Sequence, residues 1–349
     1  MACKTAASTI SFRPDTLTHL NTPLSFIPFF QDNPVGIWAS IISMLCFGLA
    51  DSLWKLPTQI FGAAKTILFR NLIVFFLVLA NFLLSEKKAY IPADFLFATL
   101  GISILSYLGL YSFARATQSG LTSVVVPVSA ASALFTLVLH IIVLDHAQVN
   151  TMTAIGLVVT ILGLLMLKVN WKSGRFSLAV LKDGGYRYAL LAALFWGLSF
   201  GYSWFAVTFV GPPLFTLIQE FTILVLAAGH TLVIYLIRRN EKPAELFVNP
   251  SSPAPSVELP SPQPWSTSIR FTGIYIILAA VFGFVGTKYN TIALDKASIN
   301  TVTGLVVLAP VISVFFGRYF YGDRLSAQQK WAVFLVIAGV FVISYFRYY

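Results

Sequence analysis

The chain has 349 residues, of which 57% are apolar and only 10% are charged, and its net charge is +10. Soluble domains carry about 25% charged residues, so this composition excludes an ordinary soluble protein. The apolar residues lie in long runs, which is typical of an integral membrane protein. Most basic residues flank those runs in short connections. The positive charge therefore indicates contacts with lipid head groups and a role in topology, not nucleic-acid binding.

Residues 1–33 form a polar N-terminal tail that ends before Pro34. The tail lacks the basic segment, short apolar stretch and cleavage site of a secretory signal. Its Ser/Thr-rich start carries Lys4 and Arg13, so an organelle transit peptide stays open as the alternative to a simple tail. We expect a multi-pass protein of the cell (inner) membrane, with an organelle membrane as the other possibility.

Ten apolar segments are long enough to cross a bilayer about 30 Å thick as helices. Many connections between them are short, so adjacent segments must run antiparallel, and Pro57, Pro92, Pro212 and Pro213 are expected at segment ends. The predicted fold is an all-α integral membrane protein with ten transmembrane helices. These lie near residues 35–56, 63–85, 94–114, 119–144, 151–170, 187–210, 213–237, 270–293, 298–321 and 328–346.

The second half of the chain repeats the pattern of the first. An Ala-x4-Ser pair at Ala114–Ser119 recurs at Ala293–Ser298, and a Gly…Trp pair at Gly48–Trp54 recurs at Gly197–Trp204. Five spans per copy is an odd number, so the second copy must enter the membrane from the opposite side. Inverted repeats are typical of carriers, in which the substrate site lies at the repeat interface.

The predicted organisation therefore has two repeats of five spans. The first repeat covers residues 34–171, and a basic connecting loop covers 172–185. The second repeat covers 186–349 and contains a Pro-rich loop at 239–268, whose insertion accounts for the shifted spacing between later repeat positions.

A motif in the second repeat is similar to a known family signature. Gly322–Ser326 reads Gly-Asp-Arg-Leu-Ser, follows Pro310 and precedes Gln328 and Gly339. This resembles the Pro…Gly-Glu-Arg-Leu-Thr…Gln…Gly signature of the drug/metabolite transporter superfamily, in its EamA-like ten-helix branch. The resemblance extends over residues 34 to about 347, with Asp323 in place of the usual Glu.

The first repeat departs further from that signature, because Ser132 stands where the second has Pro310, and His146-Ala147-Gln148 replaces Arg324-Leu325-Ser326. The resemblance implies a secondary carrier with both termini in the cytoplasm. That orientation puts six basic residues inside and fifteen on the other side. The positive-inside rule favours the reverse, and both orientations stay open.

Charged residues within spans are costly in lipid, so they indicate function or pairing. Arg70 and Glu220 lie at similar depths in the second and seventh spans and are 150 residues apart, close to the repeat spacing. We hypothesise that both face the central cavity, paired with each other or holding opposite ends of a polar or zwitterionic solute. The alternative is that each reaches the interface or pairs locally.

Lys288, Tyr289 and Asn290 in the eighth span, with Tyr111 in the related third span, form a second candidate group for an anionic or aromatic ligand. The alternative is a lysine at the membrane interface within an aromatic belt. Trp54 and Trp204 are the remaining candidate substrate contacts.

Several further residues have structural interpretations. Pro127 and Pro310 interrupt span interiors and predict helix kinks. The i, i+4 spacing of Asp51 and Lys55 predicts an intrahelical ion pair. We expect the other residues to organise helix ends or to form structural hydrogen bonds: Asp145, Asp323, His140 and His230.

The sequence lacks the spacings of metal, phosphate or nucleophile motifs, so we expect no enzyme activity, no cofactor and no bound metal. Cys3 and Cys46 form no disulfide framework, and Cys46 is expected to be a buried free thiol. The expected partners are a small-molecule substrate and the lipid bilayer, not nucleic acid, and a homodimer is considered.

These features predict a secondary-active transporter of small organic metabolites, such as an amino acid, a drug or a related polar solute, working by alternating access. One alternative is a non-transporting membrane scaffold or receptor that uses the Pro-rich loop. A second, less favoured alternative is an intramembrane enzyme.

Overall fold

The computed structural model describes residues 33–85, 93–142, 150–167, 184–240, 269–297 and 299–346. These residues form thirteen α-helices and no strand, so the described chain is all-α. The helices are α1 (Pro34–Ser52), α2 (Lys55–Phe61), α3 (Ala63–Leu83), α4 (Ala93–Ser119), α5 (Thr122–Ala130), α6 (Ser132–Ile142), α7 (Thr151–Met166), α8 (Gly184–Val210), α9 (Pro212–Asn240), α10 (Ile269–Lys296), α11 (Ile299–Val306), α12 (Ala309–Phe320) and α13 (Ala327–Phe346).

Some predictions concern residues outside the described ranges. These are the N-terminal tail, Asp145, the connecting loop up to residue 183 and the Pro-rich loop from residue 241. The side chains of His140 and Trp204 are also outside the description.

Eight helical stretches among the described residues are long and apolar enough to cross a membrane. They are Pro34–Phe61, Ala63–Leu83, Phe95–Ser119, Thr122–Leu139, Pro212–Ile237, Phe271–Ala293, Thr301–Phe320 and Ala327–Phe346. Helix α7 is apolar but has only 16 residues, and the 27-residue α8 is not among the eight. The multi-pass membrane class is thus established, and the count of ten spans stays a prediction.

The distribution of side chains suits a lipid environment. Large apolar side chains point outward, for example Phe76 and Trp331, which are 59% and 63% exposed. Small polar side chains such as Ser40, Asn71 and Thr160 are fully buried between helices. Hydrogen bonds and close packing of small residues hold membrane helices together, because apolar surface alone gains nothing by leaving lipid.

Glycines allow α7 and α13 to pack with their backbones close together. A Cβ atom added at Gly339 would lie 2.6 Å from the backbone nitrogen of Thr160, and one at Gly163 would lie 2.7 Å from that of Val336. Larger residues at these positions would push the two helices apart.

Two spans predicted as single helices are broken at their centres. One break is at Ala131, between α5 and α6, and the other lies between α11 and α12. Pro310 sits in the first turn of α12, as expected for a proline that follows a break. Pro127, in contrast, lies inside α5, and the helix ends only after Ala130, so the kink at Pro127 stays a prediction.

Gly62 and Gly211 end two helical stretches. Both have positive φ, 78° and 82° respectively, a conformation that costs little only for glycine. The expected end at Pro57 was wrong, because that proline lies in the first turn of α2 and the chain stays helical to Phe61. Proline is tolerated there since first-turn N–H groups have no partner within the helix.

At the bundle centre, α3 packs against α9, while α1 packs against α10 and α4 against α8. The starts of α1 and α11 and the ends of α10 and α13 meet at one end of the bundle, which we call the terminal face. There Gly36 contacts Ala297, and Thr303 donates a hydrogen bond to the carbonyl of Ser344. The other end is called the opposite face.

Candidate functional site

Arg70, Asn71 and Glu220 form a hydrogen-bonded group where α3 meets α9, and we call these three residues the charged centre. Arg70 Nη1 donates to Asn71 Oδ1 at 3.2 Å, and Asn71 Nδ2 donates to Glu220 Oε2 at 2.6 Å. Asn71 is fully buried. The structure therefore brings the two predicted charges together, with an amide between them that holds both.

The Arg70 side chain reaches across several helices. Its guanidinium lies 5.7 Å from the centre of the Trp54 ring, a cation–π distance. It also contacts α10 at Gly283, where an added Cβ would lie 2.6 Å from Nη2. Arg70 Nε is buried and has no hydrogen-bond partner among the described residues. Asp51 of α1 interacts electrostatically with Arg70, so acidic groups approach this arginine from two helices.

A cavity of about 210 Å³ opens between α3, α9 and α10 towards the terminal face. Lys288, Asn81 and Thr216 supply its main polar groups. The full lining consists of Val78, Asn81, Pro212, Pro213, Thr216, Phe284, Thr287, Lys288, Thr291 and Ile292. A cation, an amide and several hydroxyl groups in one small cavity can hold a polar solute.

The predicted companions of Lys288 are not in this cavity. Tyr289 packs beside Ala39, Ala293 and Val302, and Asn290 is not part of the cavity lining. Successive helical residues point about 100° apart, so neighbours in sequence face different helices. Lys288 is grouped instead with residues of α3 and α9.

An apolar layer lies between the cavity and the charged centre. Val74, Val78 and Ala280 are buried together, and Leu217 and Phe284 pack against them. Val74 is one turn from Arg70, Leu217 is one turn from Glu220, and Ala280 is one turn from Gly283. Val78 and Phe284 also line the cavity. The layer therefore separates two polar regions that share the same three helices.

Tyr111 belongs to a different group, on α4 and α9. Tyr107 Oη and His230 Nδ1 lie 2.6 Å apart, and the Tyr111 ring centre is 4.7 Å from that of His230. The hydrogen bond expected for His230 is thus present. On the same two helices, Gln219 donates to Ser106, which also bonds to Ser199 of α8. Tyr111 is not brought together with Lys288, although the sequence grouped them.

The opposite face is held by an ion pair between the two halves of the chain. Lys55 Nζ lies 2.9 Å from Asp323 Oδ1, and Asp323 Oδ2 accepts a hydrogen bond from the backbone N–H of Ser123 at the start of α5. Tyr321 donates to the carbonyl of Ser52 beside this pair. The predicted pair between Asp51 and Lys55 was wrong, because Lys55 turns to Asp323.

The geometry also shows what sequence reasoning missed. Asn71 and Gln219 are uncharged, so a search for charges within spans passed over them. A signal was available for Asn71, because Glu220 is 149 residues away. That is also the spacing of Gly48 and Gly197.

Residues 184–345 match the sequence profile of the EamA-like transporter family. The match covers most of the second predicted repeat and agrees with the resemblance to the drug/metabolite transporter superfamily. The match to a transporter family over this half and the eight long apolar helices of the described residues together support a multi-pass membrane transporter.

No curated protein matches the chain. One solved structure, titled only "Crystal structure of protein", is similar to it with a TM-score of 0.50 at 15% identity. The similarity covers 88% of this chain and 96% of that one. At this identity it bears on the fold alone.

Proposed function

We propose that this EamA-like chain is a secondary-active carrier that moves a small polar organic solute by alternating access. The observation that carries the proposal is the arrangement of the cavity, the apolar layer and the charged centre along α3, α9 and α10. A solute entering from the terminal face meets Lys288 first. It reaches Arg70 and Glu220 only when the layer around Phe284 opens.

The proposed architecture is ten spans in two inverted repeats of five. Under that scheme α1 corresponds to α8, α3 to α9, and α4 to α10. The packing of α1 on α10 is then the counterpart of that of α8 on α4, and α3 packs on its own counterpart, α9. The helix breaks in α5–α6 and α11–α12 fall at similar places in the two copies. Because each contact has a counterpart in the other repeat, the two repeats can exchange conformations and give two states of similar energy.

In one state of an alternating-access cycle, one end of the carrier is open and the other end is closed. The terminal face and the opposite face differ in this way. The cavity opens to the terminal face, while Lys55, Asp323 and Ser123 join the halves at the opposite face. In the other state the Lys55–Asp323 pair separates, and the α3–α9–α10 layer stays closed. A substrate drives the exchange only by binding the two states with different affinity.

The charges favour a substrate with an anionic group or a zwitterion. Lys288 and Arg70 supply cations along the path, and Glu220 and Asp51 supply carboxylates at its inner end. The cavity of about 210 Å³ is smaller than the roughly 300–1,000 Å³ of drug-sized pockets. An amino acid or a comparable metabolite therefore fits better than a large drug.

Metabolite profiling of cells with and without the protein, followed by uptake of the changed compounds into proteoliposomes, tests this proposal. We expect at least one anionic or zwitterionic metabolite to accumulate above protein-free vesicles. Lys288→Gln should raise its KM several-fold, while Lys65→Gln, an exposed lysine at the start of α3, should not. Absence of uptake for every changed metabolite would refute the proposal.

A further inference from the structure

We propose that Arg115, Arg187 and Tyr188 form a binding site for the phosphate of an anionic phospholipid head group at the opposite face. The site lies outside the cavity and the charged centre, and it is independent of the transported solute. It occurs where the end of α4 meets the start of α8.

Two arginine side chains converge on one tyrosine at this place. The Arg115 guanidinium carbon is 5.6 Å from the centre of the Tyr188 ring, and that of Arg187 is 5.1 Å from it. Arg115 is partly buried, and its Nη1 donates to Gln118 Oε1 at 3.2 Å. These contacts orient both guanidinium groups, which limits the entropy lost when they bind a ligand.

The backbones beneath the site are tightly packed. An added Cβ at Gly120 would lie 3.3 Å from the Cα of Gly185, so the end of α4 and the start of α8 are almost in contact. The two arginines are therefore attached to a fixed junction between helices of both halves, and the distance between their backbones is set by the fold.

The positive charge at this junction has no nearby compensation in the part of the chain that the structure describes. The only ion pair among those residues is Lys55–Asp323, so neither Arg115 nor Arg187 contacts a described carboxylate. In the sequence, Lys168, Lys172 and Arg175 precede α8. A phosphate can accept hydrogen bonds from both guanidinium groups, since both lie against the same ring.

A phospholipid supplies that phosphate at the right depth. Arg187 is in the first turn of α8 and is exposed, where a membrane helix meets the head-group region. Basic pockets between helices at this level bind anionic lipid head groups. A soluble phosphate ester would use the same chemistry, so the experiment has to separate the two sources.

Native mass spectrometry of the full-length protein provides the test, with equal amounts of phosphatidylglycerol and phosphatidylcholine added. The variant is the double substitution Arg115→Gln/Arg187→Gln. The matched control is Arg318→Gln/Arg324→Gln, which removes two exposed arginines from the same face. We expect the wild type to bind more phosphatidylglycerol than phosphatidylcholine. The ratio of the two bound lipids should fall at least fivefold in the double variant and stay unchanged in the control.

An equal loss in the control, or an unchanged preference in the double variant, would overturn the proposal. If the double variant does not fold, Arg187→Gln alone serves, since its exposed side chain can be removed without disturbing the core, and a twofold or larger loss is expected. Thermal unfolding distinguishes a lipid phosphate from a soluble one. A higher unfolding temperature with phosphatidylglycerol but not with inorganic phosphate supports the lipid site. Equal stabilisation by both at equal concentration would assign the site to soluble anions and overturn the lipid assignment.

Discussion

Asn71 and Glu220 form a 2.6 Å hydrogen bond and are 149 residues apart in the chain. Gly62 and Gly211, the two positive-φ glycines that precede α3 and α9, have the same separation. Under the proposed inverted repeats, the amide and the carboxylate therefore occupy equivalent positions and meet near the pseudo-symmetry axis. The centre of the bundle is thus symmetric in backbone and asymmetric in charge.

Replacing Asn71 should expose the dependence of Glu220 on this amide. In Asn71→Leu the carboxylate loses its short hydrogen bond while the branched shape of the side chain is kept. We expect a loss of about 1–3 kcal/mol in stability, because a buried acceptor is left without its donor. Thermal unfolding in detergent measures it. Asn71→Leu/Glu220→Leu should recover part of the loss, and a further loss in the double variant would contradict this explanation.

Breaking the ion pair at the opposite face should destabilise the observed state. Lys55→Met leaves Asp323, whose side chain is 1% exposed, with only the Ser123 amide. Removing one partner of a buried pair costs roughly 3–5 kcal/mol, and the value here should be near the lower end because Lys55 is 12% exposed. Arg324→Gln, beside Asp323 but exposed, is the control and should unfold like the wild type.

Gly283→Ala should displace the Arg70 guanidinium. The new methyl group would lie 2.6 Å from Nη2, the end of a flexible side chain, so Arg70 can move aside at small cost in stability. We expect uptake to fall several-fold while the unfolding temperature changes little. Gly273→Ala on the same helix has open space around the added methyl and should transport normally. Equal uptake by both variants would show that the position of Arg70 does not matter.

The seam between α7 and α13 should be intolerant of larger residues. Gly339→Val places methyl groups against the backbone of Thr160, which cannot move without shifting the helix. We expect a loss of about 1–3 kcal/mol or failure to fold, as for overpacked cores. Gly229→Val, at an open position on α9, is the comparison. Fluorescence-detected size-exclusion chromatography after heating distinguishes the two, and equal behaviour would mean that the seam is not tightly packed.

The all-helical membrane class followed from sequence because long apolar runs have few other structures available in lipid. The buried thiol of Cys46 followed for the same reason. The grouping of Arg70 with Glu220 followed from their spacing, but the partner of Lys55 did not. Local spacing paired Lys55 with Asp51, whereas its partner lies 268 residues away, at a site decided by how the halves pack.

The sequence predicted only some of the positions at which helices break. Pro310 marks the break before α12, but the corresponding break at Ala131 has no proline, and Pro127 lies within the helix before it. Lys288 and Tyr289 point in different directions because they are successive residues of a helix, but sequence order alone does not show which helices surround α10 on each side.

The most direct test of the proposed carrier measures uptake into proteoliposomes of the metabolite that profiling identifies. It compares the wild type with Arg70→Gln and with Glu220→Gln. Gly273→Ala serves as the folded control. If the charged centre binds the solute during alternating access, each charge-removing variant should transport at no more than about a tenth of the wild-type rate, which corresponds to about 1.4 kcal/mol in transition-state stabilisation. Wild-type rates in both variants, with correct folding, would contradict this account.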